Sequence, residues 1–486
     1  MDFNSLLSLI QHPLSATDKA LIEKAYVFAQ EKHKDQKRNS GEPYFTHAVA
    51  VGENCAKLGM DTETIIGALL HDVLEDTDAT EEELVQMFGE NIVFLVKGVT
   101  KLGHLKYRGA ERHVESLRKF FVAMAEDVRV LIIKLADRLH NVSTLAHVPP
   151  EKQKRIALET IEVHAALAGR MGMEKLKSML EDYAFPFAYP KEFEVTKKIM
   201  DDIVPEAQKV ADFAYAKIVE TLKEFDIKDT EVHSRVKATY STHKKLVKYH
   251  MNTELVYDIV ALRVITKSVA DCYQALGLIH MLWKPIPKRI KDFIALPKPN
   301  GYQSLHTTVI TEHGIIEVQI RTTEMHHEAE LGVASHLVYK EASQEKSVKT
   351  KGNFAWLDEL KDLQTIAGSP SKFLKQLHMD LFQDRIFVFT PQGDVIDLPE
   401  QATPVDFAYA VHTEVGNTMA SARVNAKIAS LNTKLHNGDI VEIVTNKTGK
   451  PSSKWLEYAK TNFARRKIRH YIAEHGGLLE KFLTRE

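Results

Sequence analysis

A change in hydrophobic period near residue 230 divides this sequence. Up to about residue 195, apolar residues recur at helical spacing and alternation is rare, the pattern of packed helices. From about 230, VYDIVALRVIT (256–266) and LHTTVITEHGIIEVQIRT (305–322) are alternating and rich in β-branched residues, and the second reads as a hairpin turning at EHG. Helical stretches such as ADCYQALGLIHMLW lie among them. A helix-period segment does not settle as a strand, so each region needs its own core. At 486 residues the chain is also too long for one core.

The spacing predicts a multidomain chain with an all-α domain at 1–195 and a mixed α/β domain at 196–340. A polar helical connector follows at 341–383 and a small β-grasp-like domain at 384–447, where RIFVFT and DVIDLP flank the turn PQG. The tail, 448–486, carries the basic amphipathic stretch FARRKIRHYI. The formal net charge of −2 gives no global basic surface, so any polyanion site must be local. Two distant cysteines, Cys55 and Cys272, argue against a disulfide scaffold or a zinc–thiolate site and fit a cytoplasmic setting. With no apolar run of 18 residues and no signal pattern, neither a membrane span nor secretion is expected.

In the first domain, IIGALL is followed by HDVLEDT (71–77). Read as one helix over 65–76, Ile65, Ile66, Leu69, Leu70, Val73 and Leu74 take one half of the wheel, and His71, Asp72, Glu75 and Asp76 take the other. TEEE at 80–83 offers a capping box, Thr80 with Glu83, so the helix ends near Asp78. Most acidic clusters are solvated faces. Here, however, an adjacent His-Asp pair supplies one nitrogen and one oxygen ligand to a divalent ion, and two carboxylates lie one turn on to orient or deprotonate water. Further ligands come from His47 in GEPYFTHAVAV and from Asp137, which interrupts the apolar LIIKLADRLHNV and is costly there unless paired or metal-bound. The set His47, His71, Asp72 and Asp137 has mixed N/O character.

In the second domain, Asp258 and Glu317 fall in different strands and are suited to sharing Mg²⁺ with nucleotide phosphates. Solvent-facing strand acids are the commoner case. The basic set Arg235, Lys237, Lys245, Arg289, Lys291 and Lys298 shifts the balance, since a triphosphate needs several cationic partners. Tyr302, in PNGYQS, offers a ring to a purine, although a packed aromatic beside a turn is the simpler reading of it alone.

The H…HD…D pattern resembles HD-superfamily metallophosphohydrolases, and the whole chain resembles the RelA/SpoT homologue family of long type, without the distal C-terminal zinc-finger and ACT-like regulatory domains. RNSGEPYFTHAVAV, GALLHDVLEDT and IKLADRLHNVSTL carry the likeness first. YDIVALRVI, RIKDFIALPKPNGYQSLHTTV and IIEVQIRTTEMHHEAELGVASH carry it next, and DRIFVFTPQGDVIDLPEQATPVDFAYAVHTEVG resembles a TGS module. The resemblance implies a bifunctional enzyme of guanosine alarmones. Its first domain would hydrolyse the 3′-pyrophosphate of (p)ppGpp with Mn²⁺ held by His47, His71, Asp72 and Asp137. Glu75 and Asp76 would act on the water, Arg38 would pack on guanine and Asn141 would reach the nucleotide. In its second domain ATP would give a pyrophosphoryl group to the 3′-hydroxyl of GDP or GTP. Asp258 and Glu317 would hold Mg²⁺, Arg235, Lys237, Ser241, Lys245 and Lys298 would contact phosphates, and Tyr302 would stack on the acceptor guanine. RIKD at 289–292 matches the form found in bifunctional members. His412 falls where ribosome-associated relatives contact uncharged tRNA.

The chain departs from the family at Asn39, where Lys is common, and at Ser234, Ala238 and ASHL. Two alternatives stay open at this stage. One is a hydrolase whose synthetase domain only binds nucleotide. The other is a non-enzymatic adaptor whose TGS module and tail bind tRNA, a ribosome or a carrier protein. Two opposed sites in one chain would waste ATP if both ran freely, so coupling between them is expected.

Overall fold

The computed structural model describes residues 3–100, 127–298, 300–335, 385–436, 438–446 and 448–475. The expected connector, 341–383, lies outside the described residues. The chain forms two compact units, Met1–Lys361 and Asp362–Glu486.

The first unit begins with helices, as the period predicts. Phe45–Lys57, Thr62–Leu69, Glu90–Thr100 and Val128–Ser143 pack on one another. Ile65, Ile66, Leu69, Leu70 and Val73 are fully enclosed. Burial of such side chains is worth about 1.5–3 kcal/mol each, which offsets the cost of the charged groups beside them. The single helix expected over 65–76 is broken. Thr62–Leu69 ends, residues 70–72 turn, and Val73–Asp76 forms a short second helix. The cause is His71, whose Nδ1 bonds the Ala68 carbonyl at 2.7 Å and so satisfies a helix-end acceptor. Thr80 does cap the next helix, accepting from the Glu83 amide at 3.2 Å. The Glu83 carboxylate does not complete the box; it lies 3.4 Å from Lys32 Nζ.

The 195/196 boundary expected from the sequence falls inside one continuous helix, Pro190–Glu224. Its buried residues Ala211, Ala214, Ile218 and Leu222 join the core of the α/β region, as do Cys272, Ala275 and Ile279 of the helix Val269–Leu282. These pack on a six-stranded sheet. The order along its main path is Glu231–Val236, Val260–Thr266, Gly314–Thr322, Leu305–Thr311, Lys284–Pro285, with Lys291–Asp292 also on Leu305–Thr311. Val260–Thr266 runs parallel to Gly314–Thr322, and the predicted hairpin is present. Alternation assigns the faces. Val232, Leu262, Val264, Ile316, Val318 and Ile320 face the core. Arg235, Arg263, Glu317 and Arg321 therefore share the opposite face.

Glycine joins the helical and α/β regions. Gly332, at φ +57°, lies so close to the Met171–Met173 turn that an added Cβ would stand 2.2 Å from the Met171 carbonyl oxygen. The next amide, Val333, donates to that same oxygen at 2.9 Å.

The second unit contains the expected hairpin, Arg385–Phe389 with Val395–Pro399, the helix Pro404–Val411, and a three-stranded sheet centred on Met419–Val424. The stretch read as a separate tail belongs to its core. Ala464, Ile468 and Ile472 of the helix Asn462–His475 pack with Val405, Ala408 and Tyr409. Buried Asp406 links the parts, accepting from the Lys460 and Thr461 amides at 2.8 and 2.7 Å. No helix among the described residues is long and apolar enough to cross a membrane.

Candidate active sites

The structure brings His47, His71, Asp72 and Asp137 together from three segments. His47 Nε2 is 3.3 Å from Asp137 Oδ1 and 3.5 Å from Asp72 Oδ2. His71 Nε2 lies 3.0 Å from Asp72 Oδ2 and 3.9 Å from Asp137 Oδ1. Adjacent residues of an unbroken helix point about 100° apart; the break at 70–72 is what turns His71 and Asp72 toward the same point.

Two hydrogen bonds aim the imidazoles. The Ala68 carbonyl can only accept, so His71 Nδ1 carries a proton, and a cation would bind at Nε2 by displacing the second proton there. His140 Nδ1 accepts from the Arg38 guanidinium at 2.7 Å, so His47 Nδ1, 2.8 Å away, must be a donor. The Nε2 lone pair of His47 then faces the carboxylates. Burial, together with the nearby His47 and Arg38, pushes His140 down to about 3, which keeps it neutral in this role.

Burial opposes the charge on His71, but the Asp72 carboxylate outweighs it and raises the imidazole to about 9. Burial likewise opposes charge on Asp72 and Asp137, yet His71 and His47 hold Asp72, and Lys134 with the same histidines holds Asp137, well below the usual carboxylate range. His71 Nε2 is buried and makes no well-angled hydrogen bond. Ligand atoms of His47, His71 and Asp137 lie within 4.8 Å of one another. An orphaned nitrogen amid mixed N and O donors fits a divalent cation.

Around this centre, the Tyr44 hydroxyl reaches Asp72 Oδ2 at 2.7 Å and Asp76 Oδ2 at 3.2 Å. Glu75 is half-buried and Asp76 exposed on the same short helix. Asn141 donates to Asp137 and accepts from Arg38 at 2.9 Å. The edge of the Arg38 guanidinium is thus engaged with His140, Asn141 and Thr144.

In the α/β region, Glu317 lies in its strand, but Asp258 sits in the turn two residues before Val260–Thr266, not within the strand. The Lys237 ammonium is 2.6 Å from Asp258 Oδ2, and Lys245 contacts the same oxygen. Against burial, the two lysines hold Asp258 at about 2. Glu317 accepts from Gln319 at 3.0 Å and lies 3.4 Å from His306. The Asp258 charge is felt at Glu317, and carboxylate oxygens suit a hard cation. Ser241 lies one turn before Lys245 on the helix Thr239–Lys248. Lys298 stands over the rings of Phe293 and Tyr302, at 4.8 and 5.0 Å. The Tyr302 hydroxyl bonds His306 at 2.8 Å. Arg289 is over the ring of Tyr257, the residue before Asp258, and Lys291 is exposed opposite His306.

A cleft of about 780 Å³ opens beside Arg235 and is lined also by Arg263, His326, Glu330, Lys175 and Asp182. Arg263 bonds Glu330 at 3.0 Å, and Arg321, almost wholly buried, lies 3.6 Å from the same carboxylate. Sequence reasoning missed this cluster, although strand alternation does put Glu317 and Arg321 on one face. It also missed His140, which lies one turn from Asp137. His412 is exposed and caps the short helix Thr413–Asn417, its Nδ1 accepting from the Glu414 amide.

Family models match this chain in three places: an HD domain at 25–174, a region found in RelA / SpoT proteins at 234–344, and a TGS domain at 386–445. The chain is 46% identical over 97% of its length to a guanosine-3′,5′-bis(diphosphate) 3′-pyrophosphohydrolase of Aquifex aeolicus, of which it covers 66%. It is 45% identical to a GTP pyrophosphokinase of Myxococcus xanthus, matching 94% of this chain and 61% of that protein. Against the bifunctional (p)ppGpp synthase/hydrolase SpoT of Escherichia coli K12, identity is 42% over 97% of this chain and 67% of that protein. The chain thus spans about two thirds of the length of these curated relatives. With all three domains matched in order and extensive identity throughout, the chain belongs to the RelA/SpoT family.

Proposed function

We propose that this chain hydrolyses (p)ppGpp to GDP or GTP and pyrophosphate at the His47/His71/Asp72/Asp137 centre, and makes (p)ppGpp from ATP and GDP or GTP at the Asp258/Glu317 centre. The observation that carries the first half is the aim of two imidazole Nε2 atoms and two carboxylates at one point. A divalent cation bound there, manganese in this reading, supplies Lewis acidity that makes water a nucleophile near neutral pH. Glu75 and Asp76 orient that water and take its proton, while Arg38 and Asn141 border the nucleotide.

At the second centre Asp258 and Glu317 would hold magnesium, which would neutralise phosphate charge. Arg235, Lys237, Ser241, Lys245 and Lys298 bind the phosphates, with Lys237 and Lys245 exchanging Asp258 for the donor. Glu317 accepts the proton of the attacking 3′-hydroxyl, AMP leaves, and Tyr302 lies against the acceptor base. Arg289 and Lys291 extend the basic rim. The enclosed thiols of Cys55 and Cys272 fit a cytoplasmic setting. His412 and the basic face of Asn462–His475 serve tRNA or another partner.

Both half-reactions are to be followed on one sample: ppGpp with Mn²⁺, and ATP plus GDP with Mg²⁺. Pyrophosphate release in the first and AMP with ppGpp in the second are expected, and Glu317→Gln should remove only the second. AMP formation surviving Glu317→Gln would refute the second assignment. If neither reaction occurs, the adaptor alternative stands.

A further inference from the structure

Resting on the reading of the α/β region as a pyrophosphokinase, we propose that Asp182, carried by the helix that closes the helical region, is a positioning residue for phosphate transfer and acts through Lys245. Asp182 lies in Glu174–Ala188. Its oxygens accept from the backbone amides of Thr239 and Tyr240, at 3.2 and 2.9 Å. Those amides open the helix Thr239–Lys248, whose own N-cap residue is Ala238 and supplies no side-chain acceptor. The helix therefore takes its cap from a different part of the chain. Free amides in a first helical turn need a partner, and a carboxylate there also meets the positive end of the helix dipole.

A second contact sets the rotation of the same helix. Glu181 Oε1 lies 2.8 Å from Lys244 Nζ. With Lys244 held on that side, its neighbour Lys245 reaches Asp258. Asp182 also lines the cleft that holds Arg235 and Arg263. One carboxylate on a helix of the first domain thus fixes the end of the element that aims an ammonium at the second centre. The physical consequence is that movement of Glu174–Ala188 changes where Lys245 points without touching Asp258, Glu317 or the nucleotide.

The test measures AMP release from ATP and GDP with Mg²⁺ by the full chain and by Asp182→Asn, Asp182→Ala, Lys245→Ala and the double variant Asp182→Ala/Lys245→Ala. The asparagine oxygen can accept from only one of the two amides, so kcat of Asp182→Asn should fall between wild type and Asp182→Ala. Asp182→Ala should lose roughly ten- to a hundredfold in kcat, the cost of misplacing a group by about 1 Å, with KM for ATP changing less. In the Lys245→Ala background the same change should cost less than about twofold, because interacting residues are non-additive. Equal losses in both backgrounds would mean that Asp182 acts only on general stability and would overturn the proposal. So would an unchanged Asp182→Ala. Circular dichroism checks folding; if Asp182→Ala does not fold, Asp182→Ser, too short to reach both amides, replaces it in both backgrounds. A wild-type chain that releases no AMP overturns the pyrophosphokinase reading itself, and the proposal with it, and is told apart by the first measurement.

Discussion

Replacing His140 by leucine tests whether the metal centre depends on the tautomer of a residue that is not a ligand. His140 Nδ1 sits between two donors, Arg38 at 2.7 Å and His47 Nδ1 at 2.8 Å. Leucine removes the acceptor, so nothing holds the His47 proton on Nδ1 and nothing orients the ring. Arg38 keeps Asn141 and Thr144 as partners, so the loss falls mainly on His47. A hydrogen bond of this kind contributes about 1–1.5 kcal/mol. Loss of the partner that orients a ligating histidine typically costs ten- to a hundredfold in metal affinity, about 1.4–2.7 kcal/mol. The expected result is therefore a ten- to hundredfold rise in the Kd for Mn²⁺, read by isothermal titration at pH 7.5 with folding checked by circular dichroism. Because His140 is pushed down to about 3, the wild-type relay should stay intact from pH 5 upward. Mn²⁺ affinity within twofold of wild type in His140→Leu would refute the tautomer argument.

Three further outcomes follow from packing and charge. Gly332→Ala should cost about 3 kcal/mol or more, since the backbone there disfavours a side chain and the new Cβ would meet the Met171 carbonyl. Gly89→Ala, at φ +86° with nothing within 4 Å, should cost less in the same thermal unfolding assay. His164 is enclosed, and burial together with Arg138 lowers it to about 3. The unfolded chain takes that proton near 6.5, so between about 3 and 6.5 it binds more protons than the folded one, and stability falls as pH falls by about 1.4 kcal/mol per unit. The stability difference between wild type and His164→Met, from urea unfolding at pH 7.5, 6.0 and 5.0, should move against wild type by that slope; a constant difference would show that the imidazole takes its proton in the fold. Asp406→Ala leaves the Lys460 and Thr461 amides without their acceptor and should destabilise the C-terminal unit by about 2–4 kcal/mol, seen as faster amide exchange in residues 462–475.

How much of this was readable in advance depends on where each signal is stored. The cluster at 71–76 stands out because charge follows an apolar run, and Asp137 stands out because it interrupts one. Alternation marks Glu317 as a face residue and the 305–322 hairpin as a unit. The break at 70–72 is different: it comes from a side chain bonding its own helix end, which periodicity does not register. His140 was readable as a neighbour of Asp137 on one helical face, yet its role depends on Arg38, a hundred residues away in sequence. Asp182 has no local signature, since its partners are backbone amides of another element. The boundary near 195 was misread because Pro190–Glu224 keeps its helical period while changing the core it packs against.

Anomalous diffraction from crystals of this chain grown with Mn²⁺ tests the central claim most directly. The account predicts a peak within coordination distance of His47 Nε2, His71 Nε2 and carboxylate oxygens of Asp72 and Asp137, lost in His71→Ala. A peak elsewhere, or none in that cluster with manganese in excess, would contradict it.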